Sequence, residues 1–215
     1  MFAFDLHSAD QPSTRNREAG YTLVALLALM TVLAISLTAA APILKQQAQR
    51  ERELEAIRRG EEVAEAIRMF YMQSNKLPTS MDELIEGVSK PGITKKLQVL
   101  RASAARDPLT EEGEWRLIRP TASNASWCNF VAALTKYNDG APVEANEVFM
   151  KSGKLPQCGV TGLLGSGGSG GIDTSDSGTG EFLGVASRST QTSVVAYYGI
   201  EKHNEWIFTP AYPKQ

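Results

Sequence analysis

Between Gly165 and Gly171 the chain carries two letter patterns that elsewhere mark phosphate binding or nucleophilic catalysis. Gly165-Ser166-Gly167-Gly168-Ser169-Gly170 matches G-x-G-x-x-G, in which glycines let the backbone close on a pyrophosphate. Gly167–Gly171 matches G-x-S-x-G, the turn that presents a reactive serine. Both patterns need a strand before them and a helix after them. Here GIDTSDSGTG follows, a poor helix former, and Thr161–Gly180 as a whole reads as a flexible glycine- and serine-rich loop. Low complexity accounts for both matches. Asp173 and Asp176 lie in the same loop and offer the oxygen ligands that hard cations take, but two aspartates do not make a site. His7 stands near the N-terminus and His203 reads as a lone residue in a turn. No cluster of histidine, cysteine and carboxylate has the spacing of a zinc site or a catalytic triad, so no enzyme is expected.

Cys128 and Cys158 are the only cysteines. In an exported region an even count reads as one disulfide; in a reducing cytosol it reads as two unrelated thiols. A bridged loop of about 30 residues would contribute roughly 3–4 kcal/mol in the chain-entropy model. The compartment therefore has to come from elsewhere in the chain. The formal net charge of −2 shows neither a nucleic-acid footprint nor a polyacidic tail.

Tyr21–Leu44 (YTLVALLALMTVLAISLTAAAPIL) contains no charged residue, while the stretch after it is densely charged. About 24 helical residues rise roughly 36 Å, enough to cross a hydrocarbon layer of about 30 Å. A buried soluble helix of that length would carry a polar stripe, and none is present. Three membrane readings follow. A secretory signal peptide would have a shorter apolar region and a cut after Ala39-Ala40-Ala41, but Pro42 would then follow the cut directly. The second reading is an uncleaved signal anchor of a periplasmic enzyme or binding protein. The third rests on the residues just before the segment.

Arg15-Asn16-Arg17-Glu18-Ala19-Gly20 is a short, partly basic leader ending in glycine, and Tyr21-Thr22-Leu23 opens the apolar run at once. This resembles the N-terminal signal of type IV pilins and type II secretion pseudopilins. The resemblance implies cleavage between Gly20 and Tyr21 by a prepilin peptidase, N-methylation of Tyr21, and a helix-bending role for Pro42. It also implies a bacterial inner-membrane protein with one span, its leader cytoplasmic and its head periplasmic, which later joins a filament. Its partners would be other pilins or pseudopilins, the peptidase, an inner-membrane assembly platform and membrane lipid, with no nucleic acid. No cofactor is implied except calcium, which some major pseudopilins hold in a C-terminal loop; Asp173 and Asp176 are the residues here that could serve. Two features depart from the family. Ala25 stands where most members carry glutamate. Arg15 and Arg17 on the leader side are outnumbered by Lys45, Arg50, Arg52, Arg58 and Arg59 beyond the span, so basic-residue counting alone favours the reverse orientation.

The elements that follow fit a pilin-like α+β head. Leu54, Ile57, Ala64, Ile67 and Tyr71 recur at helical steps, widened by Val63 and Phe70, and predict an amphipathic continuation over 45–74. Glu55 with Arg58 and Arg59, and Glu65 with Arg68, stand at neighbour spacing on that helix. Gly60 reads as its weak point, costing about 1 kcal/mol against alanine in an exposed helix. Pro78 ends the helix, and Ser80 with Glu83 predicts a capping box for a short second helix stopped near Gly87. Asn75–Ser80 and Asp107-Pro108 resemble turns of pseudopilins. Glu114–Arg119, Ser193–Ile200 and Glu205–Thr209 read as strands, with Glu201–Asn204 turning between the last two, and Ser126–Lys136 as a short helix or strand. The expected organisation is a leader over 1–20, a membrane helix over 21–44, its amphipathic continuation over 45–74, and a head over 75–215. In that head a small antiparallel sheet packs on the long helix. The function expected from the resemblance is a structural, minor filament subunit.

Overall fold

The computed structural model describes residues 15–89, 96–120, 125–156, 158 and 180–212, with side chains described outside 15–19 and 39–44. The fold is α+β. In chain order it runs α1 (Arg15–Ser74), α2 (Met81–Glu86), β1 (Arg116–Ile118), α3 (Ala125–Tyr137) and α4 (Glu147–Lys151). Then come β2 (Gly184–Ala186), β3 (Thr192–Tyr197), β4 (Ile200–Lys202), a 3-10 turn (His203–Glu205) and β5 (Ile207–Phe208). The chain divides into two compact units, Met1–Gln47 and Ala48–Gln215.

In the first unit, α1 carries Gly20–Thr38, a 19-residue apolar stretch of which none is buried. At 1.5 Å per residue it spans about 28 Å, so it is long and apolar enough to cross a membrane.

In the second unit, the rest of α1 forms one wall of the core. Glu53, Ala56, Gly60, Val63, Ile67 and Tyr71 are buried and succeed one another at steps of three or four. This stripe is displaced from the one that hydrophobicity alone predicts: Leu54 is 44% exposed, and a carboxylate and a glycine hold two of the buried positions. Gly60 is thus not a weak point on an exposed face. The Phe208 ring of β5 lies directly against its backbone, and a Cβ there would overlap ring carbons. Gly60→Ala should therefore destabilise the unit by about 1–3 kcal/mol through overpacking, despite a helix-propensity gain of about 1 kcal/mol. Urea unfolding of the full chain in detergent, followed by tryptophan fluorescence, checks this; a net gain in stability would mean that Phe208 can swing away at little cost. The surface of the same helix carries the ion pairs its spacing predicts, Glu55 with Arg58 (3.0 Å) and Arg59 (2.8 Å), and Glu65 with Arg68 (2.6 Å).

α2 begins as its capping residues predict. Ser80 Oγ accepts the Glu83 N–H at 3.3 Å, while the Glu83 carboxylate reaches back to the Thr79 N–H at 2.6 Å, one residue further than the usual box. Leu84 is the buried residue of α2 and joins Val63, Ile67 and Tyr71 in the core, with Trp115, Trp127, Phe149 and Trp206.

Among the described residues the strands form two sheets where one was expected. β2 pairs antiparallel with both β1 and β5, giving the order β1-β2-β5, and β3 pairs antiparallel with β4. The hairpin turn is Tyr198-Gly199, with φ of 51° and 75°, and not Glu201–Asn204. Two successive positive φ values define a tight hairpin turn of the kind Asn-Gly usually makes, and tyrosine in the first place hides it. Ile200–Lys202 therefore becomes β4, and the last strand goes to the other sheet. β2, the central strand of that sheet, is buried throughout and has no alternation to betray it.

Candidate functional site

Two sites follow from these elements, one in each unit. The first is the Gly20–Tyr21 peptide and the apolar helix behind it. Tyr21 is 79% exposed, and beyond the adjoining residues and helix backbone nothing lies within 4 Å of a Cβ placed on Gly20, so both residues of the expected cleavage site face open space. Both are helical. Leu23, Val24, Leu27, Met30, Leu33 and Ile35 are likewise exposed. Three hydroxyls of the stretch bond within the helix: Thr31 donates to Ala28 O, Ser36 to Val32 O and Thr38 to Ala34 O, at 2.8–2.9 Å. Such back-bonding removes the cost of carrying a hydroxyl into hydrocarbon. Ala25 lies exposed on the same segment and offers no carboxylate. Pro42 is in α1, and its side chain lies outside those described, as do Asp173, Asp176, both glycine-rich patterns and His7 among residues.

The second site is a buried polar cluster that joins α1 to the C-terminal hairpin. Glu53 is fully buried, yet its carboxylate accepts five hydrogen bonds' worth of contacts. Val194 N–H reaches both oxygens at 3.0 and 2.9 Å, Val195 N–H reaches Oε2 at 2.8 Å, and Gln49 Nε2 donates to Oε1 at 2.7 Å. His203 Nε2 lies 3.0 Å from Oε1. A carboxylate only accepts, so Nε2 carries the proton of this bond and Nδ1 faces Ser189 Oγ at 3.1 Å. Burial opposes ionisation of Glu53, but the N–H groups of Val194 and Val195, with Gln49 and His203, outweigh it and hold the carboxyl below its ordinary range.

His203 is accordingly no lone turn residue: it is buried, and it stacks edge-on to Trp206 with centroids 4.9 Å apart. The order hydroxyl, imidazole, carboxylate is also that of a nucleophilic triad. Here, however, the carboxylate is occupied by the amides of β3, and the ring is closed over by Trp206, so the chain of bonds serves as a brace. Nearby, Ser187 donates to Asp107 Oδ2 at 2.7 Å and Leu109 N–H to Oδ1 at 2.9 Å. Burial pushes Asp107 above the usual carboxylate range against the pull of these donors. Asp107-Pro108 thus forms a turn pinned to the segment that follows β2.

Cys128 on α3 and Cys158 are joined, with Cα atoms 5.4 Å apart. Among the described residues no group of three or more metal-ligating side chains comes together.

No family model, no curated protein and no solved structure matches this chain.

Proposed function

We propose that the chain is a type IV pilin-like subunit, processed by a prepilin peptidase between Gly20 and Tyr21 and assembled into a type II secretion pseudopilus or a related filament. The observation that carries the reading is the sequence Arg15–Leu23, a partly basic leader ending in glycine and followed by an aromatic residue, Thr and Leu at the mouth of an apolar helix. The exposure of Gly20 and Tyr21 and the unburied apolar stretch Gly20–Thr38 support it, since a subunit of this kind keeps that surface for lipid and then for neighbouring helices. The α+β second unit, in which α1 lines a core closed by short antiparallel strands, is in keeping with a pilin-like head. On this reading the leader is cytoplasmic and the head periplasmic, where Cys128 and Cys158 would be oxidised.

Co-production with a prepilin peptidase in a bacterial membrane tests this. The full chain should shorten only when the peptidase is active. Gly20→Ala should still be cut and Gly20→Trp should not, because a pocket for glycine has no room for an indole. Shortening without the peptidase, or cutting of Gly20→Trp, would contradict the reading.

Ala25 narrows the role. Cleavage leaves a charged amine on Tyr21 at the edge of the hydrocarbon layer, and drawing such a charge unpaired to mid-membrane costs about 2.5–3.5 kcal/mol. The glutamate that usually stands at this place can offset such an amine on a neighbouring subunit; Ala25 cannot. A subunit of this kind suits a filament tip or a position held by few copies. Quantification in sheared filaments should find it at a small fraction of the bulk subunit, and finding it as the bulk subunit would overturn the minor role.

A further inference from the structure

Two stretches of α1 treat their basic residues differently. Farther from the apolar run the arginines are paired, Arg58 and Arg59 with Glu55 and Arg68 with Glu65. Closer to it, Lys45, Arg50 and Arg52 are exposed, and among the described residues no carboxylate pairs with them. Spacing explains the difference, because side chains on a helix meet at three or four residues. For Lys45 those places hold Ala41, Pro42, Ala48 and Gln49, none of them acidic. Arg50 has only Glu53, which is buried and taken by the amides of Val194 and Val195, by Gln49 and by His203. Arg52 has only Glu55, which holds Arg58 and Arg59. Glu51 adjoins both arginines in sequence, but adjacent residues do not face each other on a helix. From Lys45 to Arg59 there are five basic and three acidic residues, and the cations left over are the three nearest the apolar run.

We infer that Lys45, Arg50 and Arg52 bind the phosphate groups of anionic phospholipids at the membrane surface where the apolar run ends. They follow Leu44 by one, six and eight residues. Cβ atoms of an α-helix tilt toward its N-terminus, which here is the side of the apolar run. Long basic side chains then extend along apolar surface to place their charge among headgroups. A guanidinium offers a phosphate two parallel N–H donors, and an anionic surface attracts each basic residue near it. At about 100° per residue Arg50 and Arg52 leave the helix roughly 200° apart, so each takes its own headgroup. The inference rests on the membrane span of the proposed function and not on its cleavage, orientation or filament. The basic residues that count against the proposed orientation have, on this account, a local task.

The test uses the full chain, extracted by a neutral detergent from bilayers of equal parts phosphatidylcholine and phosphatidylglycerol. Mass spectrometry then quantifies the phospholipid that stays with the purified protein. The parent should retain phosphatidylglycerol over phosphatidylcholine by about tenfold or more in low salt, and the ratio should fall toward one in about 0.5 M NaCl. Lys45→Gln/Arg50→Gln/Arg52→Gln should lower the low-salt ratio about tenfold, and Arg52→Gln alone by a few-fold. Arg15 and Arg17 are present in parent and variants alike, so the difference belongs to the three residues. Arg68→Gln, which removes a paired arginine, should leave the ratio unchanged. Unfolding followed by tryptophan fluorescence should show the triple variant as stable as the parent, since its side chains are exposed. Equal retention of both lipids by the parent, an unchanged ratio in the triple variant, or an equal loss in Arg68→Gln would each overturn the proposal. A chain beginning at Met1 that still shows the expected ratios would contradict the pilin-like reading and leave lipid binding standing. A chain beginning at Tyr21 that retains both lipids equally would do the reverse.

Discussion

Replacing Glu53 with alanine is expected to destabilise the second unit by about 3–5 kcal/mol, the cost of breaking a buried charged network from one side. The change would strand the N–H groups of Val194 and Val195, the Gln49 amide and His203 Nε2 in a site that excludes water. Each buried donor left without an acceptor costs about 1–3 kcal/mol, and relaxation recovers part of the sum. Glu53→Gln keeps the shape and one carbonyl oxygen, so a smaller loss is expected. The pH dependence separates these roles. Because the folded state holds Glu53 below its ordinary range, its contribution is complete above the unfolded value of 4.5 and disappears as pH falls through the lower folded value. Asp107 acts in the opposite sense: its folded value is raised, so ionisation burdens the fold at neutral pH and protonation in acid relieves it. The difference in unfolding free energy between the parent and Glu53→Gln should therefore shrink as pH is lowered beneath 4.5, while the Asp107 contribution cancels. Urea titrations at several pH values, read by the buried Trp115, Trp127 and Trp206, supply the measurement. A difference that stays constant with pH would mean that the fold does not shift the ionisation of Glu53, and one that grows as pH falls would mean that the fold holds Glu53 protonated.

Loss of the disulfide has the next largest expected effect. The bond closes a loop with a sequence separation of 30, for which chain entropy predicts about 3–4 kcal/mol of stabilisation. It ties Cys158 to α3, whose Trp127, Phe130 and Leu134 are buried in the core. The Cys128→Ser/Cys158→Ser double variant should thus lower the stability of the second unit by that amount and leave the apolar helix of the first unit unaffected. In the parent exported from the cytoplasm, non-reducing electrophoresis should show a faster band and thiol alkylation should require prior reduction. Two freely alkylated thiols would contradict both the bond in the exported protein and the periplasmic placement of the head.

Features with a local physical cause were legible in the sequence. The apolar stretch, the Ser80–Glu83 cap, the strand at Arg116–Ile118 and the ion pairs on α1 each follow from spacing over a few residues, although that strand buries Arg116 and leaves the apolar Leu117 half-exposed. The brace around Glu53 was not legible, because its reason is long-range: a glutamate in a charged helix looks solvated until β3 arrives 141 residues later with two free amides. Gly60 was misread for the same reason, since only the Phe208 ring explains it. His203 gave no signal because its partners, Ser189 and Glu53, lie in other elements. β2 was hidden by its brevity and complete burial, and the hairpin by a tyrosine where asparagine is usual. The processing site depends least on tertiary context, being read from consecutive residues.

The mature N-terminus is therefore the most direct measurement. Mass spectrometry of the protein purified from bacterial membranes should find a chain beginning at Tyr21 with a methylated amine. A chain beginning at Met1, or one cut after Ala41, would contradict the pilin-like assignment.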